Sequence, residues 1–334
     1  MEKVWQQILP YAQTYPSPHN SQPMRVRLRG DTMALYYDLD RGLPAESFGV
    51  AFGHVCAGVF VEIVRIAAAG LGYELEERLE LRPIDFGAAN RLHPLGTLRL
   101  VKAERALGDL DPVLIMRRRT SRLPYEPRPV PEAVLARAAA EAQPFGYRLH
   151  STTDPKLVKE VIYVNQRTLF YDLSDPAVRH ELSSWLRYSR QQAEATGDGL
   201  SAECLDLPGP VMKLFMTQFW VWQLPLLGRL VKWVYLHSMR GVAQVAWLVG
   251  PFAGPADYMR AGRCLMRIWL ELTEAGVYLH PFGSVIANER AHREFCELVG
   301  EAERGGMAWM LFRLGYSREP PRAHRRPLSE MVLP

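Results

Sequence analysis

The apolar positions of this chain are dominated by two long helical runs. Residues 46–70 are apolar nearly all round, and Gly49, Gly53 and Gly58 give that helix a small-residue side on which another backbone can approach. Residues 256–276 repeat the character, and both runs end in Ala-Gly, at 69–70 and 275–276. Shorter alternating segments lie around them. Val26–Leu28 and Met33–Tyr37 flank Arg29-Gly30-Asp31 as a hairpin, and Leu75–Leu81, Thr97–Val101, Tyr147–His150 and 308–313 read as further strands. Helices are expected at 2–13, 132–142, 155–169, 176–195 and 289–304, with Asp154 ahead of Pro155 as an N-cap. The 196–210 stretch is a Gly/Pro loop. The pattern is α+β.

A short string occurs twice. Gln22-Pro23-Met24-Arg25-Val26-Arg27-Leu28 recurs as Gln143-Pro144-Phe145-Gly146-Tyr147-Arg148-Leu149, with Gln, Pro, Arg and Leu in register. This suggests two fused half-units, each a central mixed or antiparallel sheet flanked by helices. The polar stretch Leu107–Pro112 is the expected hinge, giving halves at 1–110 and 111–334. Within the second half, residues 211–236 form an aromatic and aliphatic segment. Its longest uncharged stretch, Leu214–Gly228, holds Gln218, Gln223 and Pro225, too interrupted to span a bilayer. The favoured reading is a hydrophobic lid insertion at about 205–250, with Trp220, Trp222, Trp233 and Trp247 as lid core. Membrane-surface contact through 211–236, edged by Lys213, Arg229 and Lys232, is the alternative.

Composition adds bounds. The 334 residues are 48% hydrophobic and 23% charged with a formal net charge of +4, ordinary for a globular enzyme or binding protein. The arginines concentrate at 117–122 and 318–326 rather than along a stripe, which favours a local anion site over a nucleic-acid surface. Cys56, Cys204, Cys264 and Cys296 are far apart; buried thiols in a reducing, cytoplasmic setting are expected. The N-terminal residues carry no apolar signal core. His54, inside an apolar helix, reads as a satisfied core residue. Gly70-Leu71-Gly72 follows a helix, so it is no dinucleotide fingerprint.

Three pieces can carry chemistry. Arg118-x-Thr120-x-Arg122 places two guanidinium forks around a hydroxyl, the donor set of a phosphate site, although a solvated basic turn is its commoner fate. His324, Arg325 and Arg326 form a second basic cluster able to close on the same anion. Pro16-Ser17-Pro18-His19-Asn20-Ser21-Gln22-Pro23 is dense in amide and hydroxyl groups suited to a planar heterocycle, or is an ordinary turn before a strand. Leu279-His280-Pro281-Phe282-Gly283-Ser284 can aim a backbone N–H at a ligand, or simply stop a helix.

The order of these pieces resembles the FMN-dependent nitroreductase superfamily, and the likeness runs over most of the chain. The family's Pro-Ser-x-x-Asn-x-Gln-Pro motif appears as Pro16, Ser17, Asn20, Gln22 and Pro23. Its Arg-x-Ser-x-Arg motif appears as Arg118, Thr120 and Arg122. An Ala-Gly-Arg helix ending in Ala-Gly appears at 261–276, followed by the turn at 281–283, and the Leu-Gly-Tyr and Arg-Pro-Leu endings appear at 314–316 and 326–328. The resemblance implies a nitroreductase-like fold in a single-chain pseudo-dimer, similar to the mycobacterial dormancy-associated subgroup with its lid. It implies that Arg118, Thr120, Arg122 and Arg326 hold the FMN phosphate, with Arg325 or His324 assisting. Pro16, Ser17, Pro18, His19, Asn20 and Gln22 would approach the flavin from the other half, and backbone at Pro281, Phe282 and Gly283 would face its N5. NAD(P)H is the candidate electron donor, though Phe282 stands where the family often has Glu. A hydrophobic or aromatic small molecule is the expected substrate, no metal is expected, and the chain would act as a monomer or a further homo-oligomer. The competing expectations are a flavin-sequestering protein with a closed lid, and a flavin-free interaction module.

Overall fold

The computed structural model describes residues 2–45, 49–105, 110–218, 220, 224–301 and 307–334. Leu107, Gly108 and Asp109 of the expected hinge, the start of the helix at 46–48, the end of the helix at 302–304, and Trp222 lie outside the described residues.

Two half-units repeat one topology. The first runs α1 (Glu2–Ala12), β1 (Met24–Arg29), β2 (Thr32–Asp38), α2 (Gly49–Gly70), β3 (Tyr73–Leu79) and β4 (Leu92–Lys102). Its sheet has the order β1-β2-β4-β3, antiparallel throughout. A one-turn helix, α3 (Val113–Arg117), leads to the second unit. That unit opens with α4 (Glu132–Ala142) and β5 (Arg148–Thr152). An excursion follows, made of α5 (Pro155–Asp172), α6 (Pro176–Ser184), β6 (Leu186–Arg187), α7 (Arg190–Thr196), β7 (Leu200–Ser201), α8 (Gly209–Thr217) and α9 (Pro225–Ser238). The unit resumes with β8 (Val245–Gly250), α10 (Pro255–Glu274), β9 (Tyr278–Pro281), α11 (Gly283–Ala287), α12 (Glu289–Leu298) and β10 (Met307–Gly315), and the tail carries α13 (Leu328–Met331). The second sheet has the order β5-β8-β10-β9, again antiparallel. In both units the chain therefore goes helix, strand, strand, long helix, strand, strand, and the fourth strand inserts beside the second. The repeated Gln-Pro strings lie at equivalent places, each between the first helix and the first strand. The fold is α+β, two half-units fused in one chain, each a sheet flanked by helices.

Where the first unit joins its first two strands by a tight turn with Gly30 at φ +60°, the second inserts everything from 153 to 244. The segment expected as a lid, 205–250, thus ends in a core strand. Trp247 lies on β8, buried, with its indole N–H donated to Glu301 at 3.1 Å. Trp220 and Trp233 point outward instead.

The half-units join along α2 and α10. A Cβ on Gly58 would fall 2.0 Å from the Met259 carbonyl oxygen, and one on Gly262 1.9 Å from that of Val55. Only glycine allows the two helices to approach this closely. The α2 run is long and apolar enough to cross a membrane, yet 94% of that stretch is buried here as the central helix of the core. Glu62, fully buried on α2, accepts bonds from Arg263 and Arg267 on α10, at 3.0 Å each, and from Arg65. Pairing of that kind is what permits a buried charge. His54 is likewise a satisfied core residue, its Nε2 2.9 Å from the Arg82 carbonyl oxygen.

The expected helix at 176–195 is two helices. Ser189 caps α7 by accepting from the Gln192 N–H, and Leu186–Arg187 between them pairs in parallel with Leu200–Ser201. The reason is tertiary: Arg187 turns inward to a buried ion pair with Asp198 at 2.6 Å, which extended backbone allows and a continuous helix does not. The tail returns to the first unit, where Leu333 donates to the Val26 carbonyl at 2.7 Å and covers the edge of β1.

Candidate functional site

The turn after α1 is held in left-handed backbone. His19, Asn20 and Gln22 have φ of +48°, +55° and +52°, a region disfavoured for residues other than glycine but tolerated by Asn. Ser17 Oγ stabilises the turn by accepting from the Gln22 N–H at 2.9 Å. Asn20 is buried, and its amide nitrogen donates to the carbonyls of Gly199 and His324, both at 3.0 Å. Its Oδ1 accepts from Arg325. Gln22 donates to the Gly197 carbonyl at 2.9 Å and accepts from the Arg326 N–H at 3.0 Å. The turn thus fastens the excursion at 197–199 and the tail at 324–326 onto the first unit. Pro16, Ser17, Pro18 and His19 form the rest of it.

The arginine turn bridges the two units. Arg118 is buried, its guanidinium 4.5 Å from the centre of the Trp269 ring on α10, and it donates to the Thr14 carbonyl at 3.2 Å. Arg325 donates to the same carbonyl at 3.1 Å. Two residues on, Thr120 bridges in parallel to Leu279, and the Ser121 N–H donates to the Leu279 carbonyl at 3.2 Å. This brings Arg122 against His280 and Arg313, which occupy paired positions on β9 and β10. Cys204, from the excursion, lies within electrostatic reach of both Arg122 and Arg325.

Four arginines, Arg118, Arg122, Arg313 and Arg325, therefore gather with no ion pair to any carboxylate among the described residues. Burial pushes the Arg118 guanidinium down to about 9, with Arg325 beside it adding to the shift. Burial likewise lowers Arg325 to about 10, and lowers Arg122 and Arg313. His280 is held well below the usual imidazole range by burial and by Arg122 and Arg313. Nε of Arg118, Arg313 and Arg325 and Nδ1 of His280 are enclosed without a hydrogen-bond partner. Elsewhere the chain pairs its buried arginines, as with Arg187 and Asp198. A group of buried and half-buried cations with enclosed spare donors is costly unless an anion joins it. Arg313 is partly spoken for, donating to the Ser238 carbonyl at 3.0 Å and lying 4.6 Å from the centre of the Tyr125 ring.

Other residues singled out from sequence sit differently. Arg326 is neutralised by Glu330, with Nε 2.7 Å from the carboxylate, and its backbone rather than its charge meets the turn. His324 contributes its carbonyl. Phe282 is buried and its N–H is taken by the Leu311 carbonyl at 2.8 Å, so Pro281 and Phe282 continue the sheet edge. Gly283 opens α11 with nothing within 4 Å of where a Cβ would stand. Arg119 points away from Arg118, to Glu319, and lines a surface cleft of about 570 Å³ with Asp206 and Arg318. None of Arg118, Arg122, Arg313 and Arg325 lines that cleft. Thr14, Trp269, Cys204 and Arg313 were not marked by any local motif. Arg313 alone left a signal, a single charge in an otherwise apolar strand.

No family model matches the sequence, and no curated protein matches it. Among solved structures, the FMN- and NADPH-dependent nitroreductase NfnB from sphigopyxis sp. strain HMH is 16% identical. The match covers 66% of this chain and 96% of that one, with a TM-score of 0.40. The FMN-dependent nitroreductase NfnB from Mycobacterium smegmatis is also 16% identical, covering 65% and 94%, with a TM-score of 0.39. A putative nitroreductase from Anabaena variabilis is 10% identical, covering 86% of this chain and 69% of its own, with a TM-score of 0.43. At such distances function is carried by the chemistry of the site itself.

Proposed function

We propose that this chain is an FMN-dependent oxidoreductase of nitroreductase type, a single-chain pseudo-dimer with one flavin site between its half-units. The observation that carries the reading is the convergence of a buried Arg118 with the half-buried Arg122 and Arg325, none of them paired with a carboxylate among the described residues and, at Arg118 and Arg325, with enclosed Nε donors left over. Such a donor set fits a phosphate monoester, which accepts bidentate bonds from arginine. Thr120 adds a hydroxyl on the same turn. Pro16, Ser17, Pro18 and His19 would wall the first-unit side, and the open space at Gly283 would admit a ring beside β9. When bound, FMN supplies hydride acceptance and donation at N5.

The protein's own part is binding, orientation and exclusion of water. Arg118 and Arg325 neutralise the phosphate, and Asn20 positions Arg325 by accepting from it. The excursion at 197–204 closes over the turn. The expected substrate is a hydrophobic or aromatic small molecule, with NAD(P)H as the candidate donor, in the cytoplasm. A second reading, a flavin-sequestering protein without turnover, is favoured by two engagements: the donors of Asn20 are consumed by Gly199 and His324, and the Phe282 N–H by Leu311.

The test is an absorption spectrum of the purified protein, repeated anaerobically with NADH or NADPH. Bound-flavin bands that bleach support the enzyme. Bands that persist with every donor and acceptor tried support sequestration. No uptake of added FMN overturns both.

A further inference from the structure

We infer that the outer face of α8 and α9 docks on an anionic lipid surface. On α9, Leu226, Leu230, Trp233 and His237 recur at helical spacing on one exposed stripe, with Leu226 80%, Trp233 60% and Leu230 48% exposed. Leu214 on α8 is 48% exposed, and Trp220 between the helices 58%. The other side of α9 is the one that packs on the body: Tyr235 meets Asn165 and crosses Phe170 edge-on at 6.0 Å. A helix apolar on both its packed and its solvent side lacks a partner on the latter.

The charges identify the partner. Lys213 and Arg229 are exposed around this face, Lys232 is exposed on its flank with Nζ 5.9 Å from the centre of the Phe170 ring, and no Asp or Glu occurs anywhere from Leu207 to Ala256. A second copy of the chain, packed on this face about a two-fold axis, would set those three cations against their own images with no carboxylate to relieve them. A headgroup layer carrying negative charge relieves them directly. Trp and Leu side chains beside a cationic rim are the composition that settles at the boundary of headgroups and acyl chains. The docking stands apart from the cofactor reading, since none of these residues belongs to the arginine cluster.

The test is co-sedimentation of the full chain with phosphatidylcholine vesicles made with and without phosphatidylglycerol, at low and high salt. The wild type is expected to sediment with the phosphatidylglycerol vesicles and to be released by salt. Arg229→Gln with Lys232→Gln weakens partition about 30-fold, from the contribution of two basic residues at an anionic surface. Leu226→Ser, Leu230→Ser and Trp233→Ser together abolish it, while circular dichroism stays unchanged. If the triple variant misfolds, the charge variant and the salt dependence decide alone. Wild type that stays in the supernatant with both vesicles overturns the inference, as does sedimentation indifferent to the charge variant. A lipid-free dimer that the triple variant converts to monomer also overturns it, making the face a self-interface.

Discussion

Arg118 and Arg325, separated by most of the chain, donate to one acceptor, the carbonyl of Thr14, at 3.2 and 3.1 Å. One peptide oxygen thus holds two guanidinium groups beside each other, Arg118 buried and Arg325 half-buried. The arrangement is unfavourable by itself, because each cation disfavours the other and burial disfavours both. On the proposed reading a bound phosphate relieves it, and this sets the first expectation.

Arg122 tests that party most cleanly. It makes no hydrogen bond or ion pair among the described residues and sits against two further bases, Arg313 and His280. Arg122→Gln removes a guanidinium that burial and Arg313 disfavour, so the ligand-free protein should melt no lower than wild type. It should weaken FMN about 10- to 100-fold, the loss of one charge-assisted contact of ~1.5–3 kcal/mol. Flavin fluorescence titration beside thermal melts measures both, and unchanged affinity would remove Arg122 from the site.

Asn20 holds the closure together. Asn20→Ala strands the carbonyl of Gly199, takes one donor from that of His324 and removes one of the acceptors of Arg325. A loss of about 1–3 kcal/mol is expected, with 197–204 becoming the first site of proteolytic cutting. Asn20→Gly, which suits φ +55°, should recover the backbone part only. Equal protease resistance in wild type and Asn20→Ala would show that the amide does not fasten the excursion.

The contact between half-units depends on two missing side chains. Gly262→Ala puts a Cβ 1.9 Å from the Val55 carbonyl oxygen; the Cβ is fixed to the main chain and the oxygen belongs to it, so neither can swing aside. We expect a loss of about 3 kcal/mol or more, the upper range for overpacking, read as a collapse of the urea midpoint. A variant as stable as wild type would mean that α2 and α10 are not pressed together here.

His280 predicts an acid limb. Its folded pKa is depressed, so below about pH 6.5 the unfolded chain binds a proton that the folded chain does not, and stability falls as pH falls. His93, pushed down mainly by burial, adds the same sign. One such group contributes a slope of about 1.4 kcal/mol per pH unit below that point. His280→Gln should flatten the limb by one proton between pH 6.5 and 5 in chemical denaturation, and an identical slope would show that His280 is protonated in the folded protein.

The sequence by itself determined the local elements and the residue types of the site. The apolar runs of α2 and α10, the hairpin at Gly30, the repeated Gln-Pro string, the Asn20 turn and the arginine turn follow from periodicity and backbone preference, which act over a few residues. The break of 176–195 at Arg187 did not, because it depends on Asp198 lying across a loop. The tertiary structure alone decided which charges are buried. Arg118 and Arg325 face each other while Arg119 and Arg326 find Glu319 and Glu330, and nothing in the local strings separates these pairs. Arg313, Trp269, Thr14 and Cys204 join the site from remote positions, and Trp220 and Trp233 turn outward. Burial and pairing of a charge depend on what the rest of the chain brings within a few ångströms, and that is set only once the core has packed.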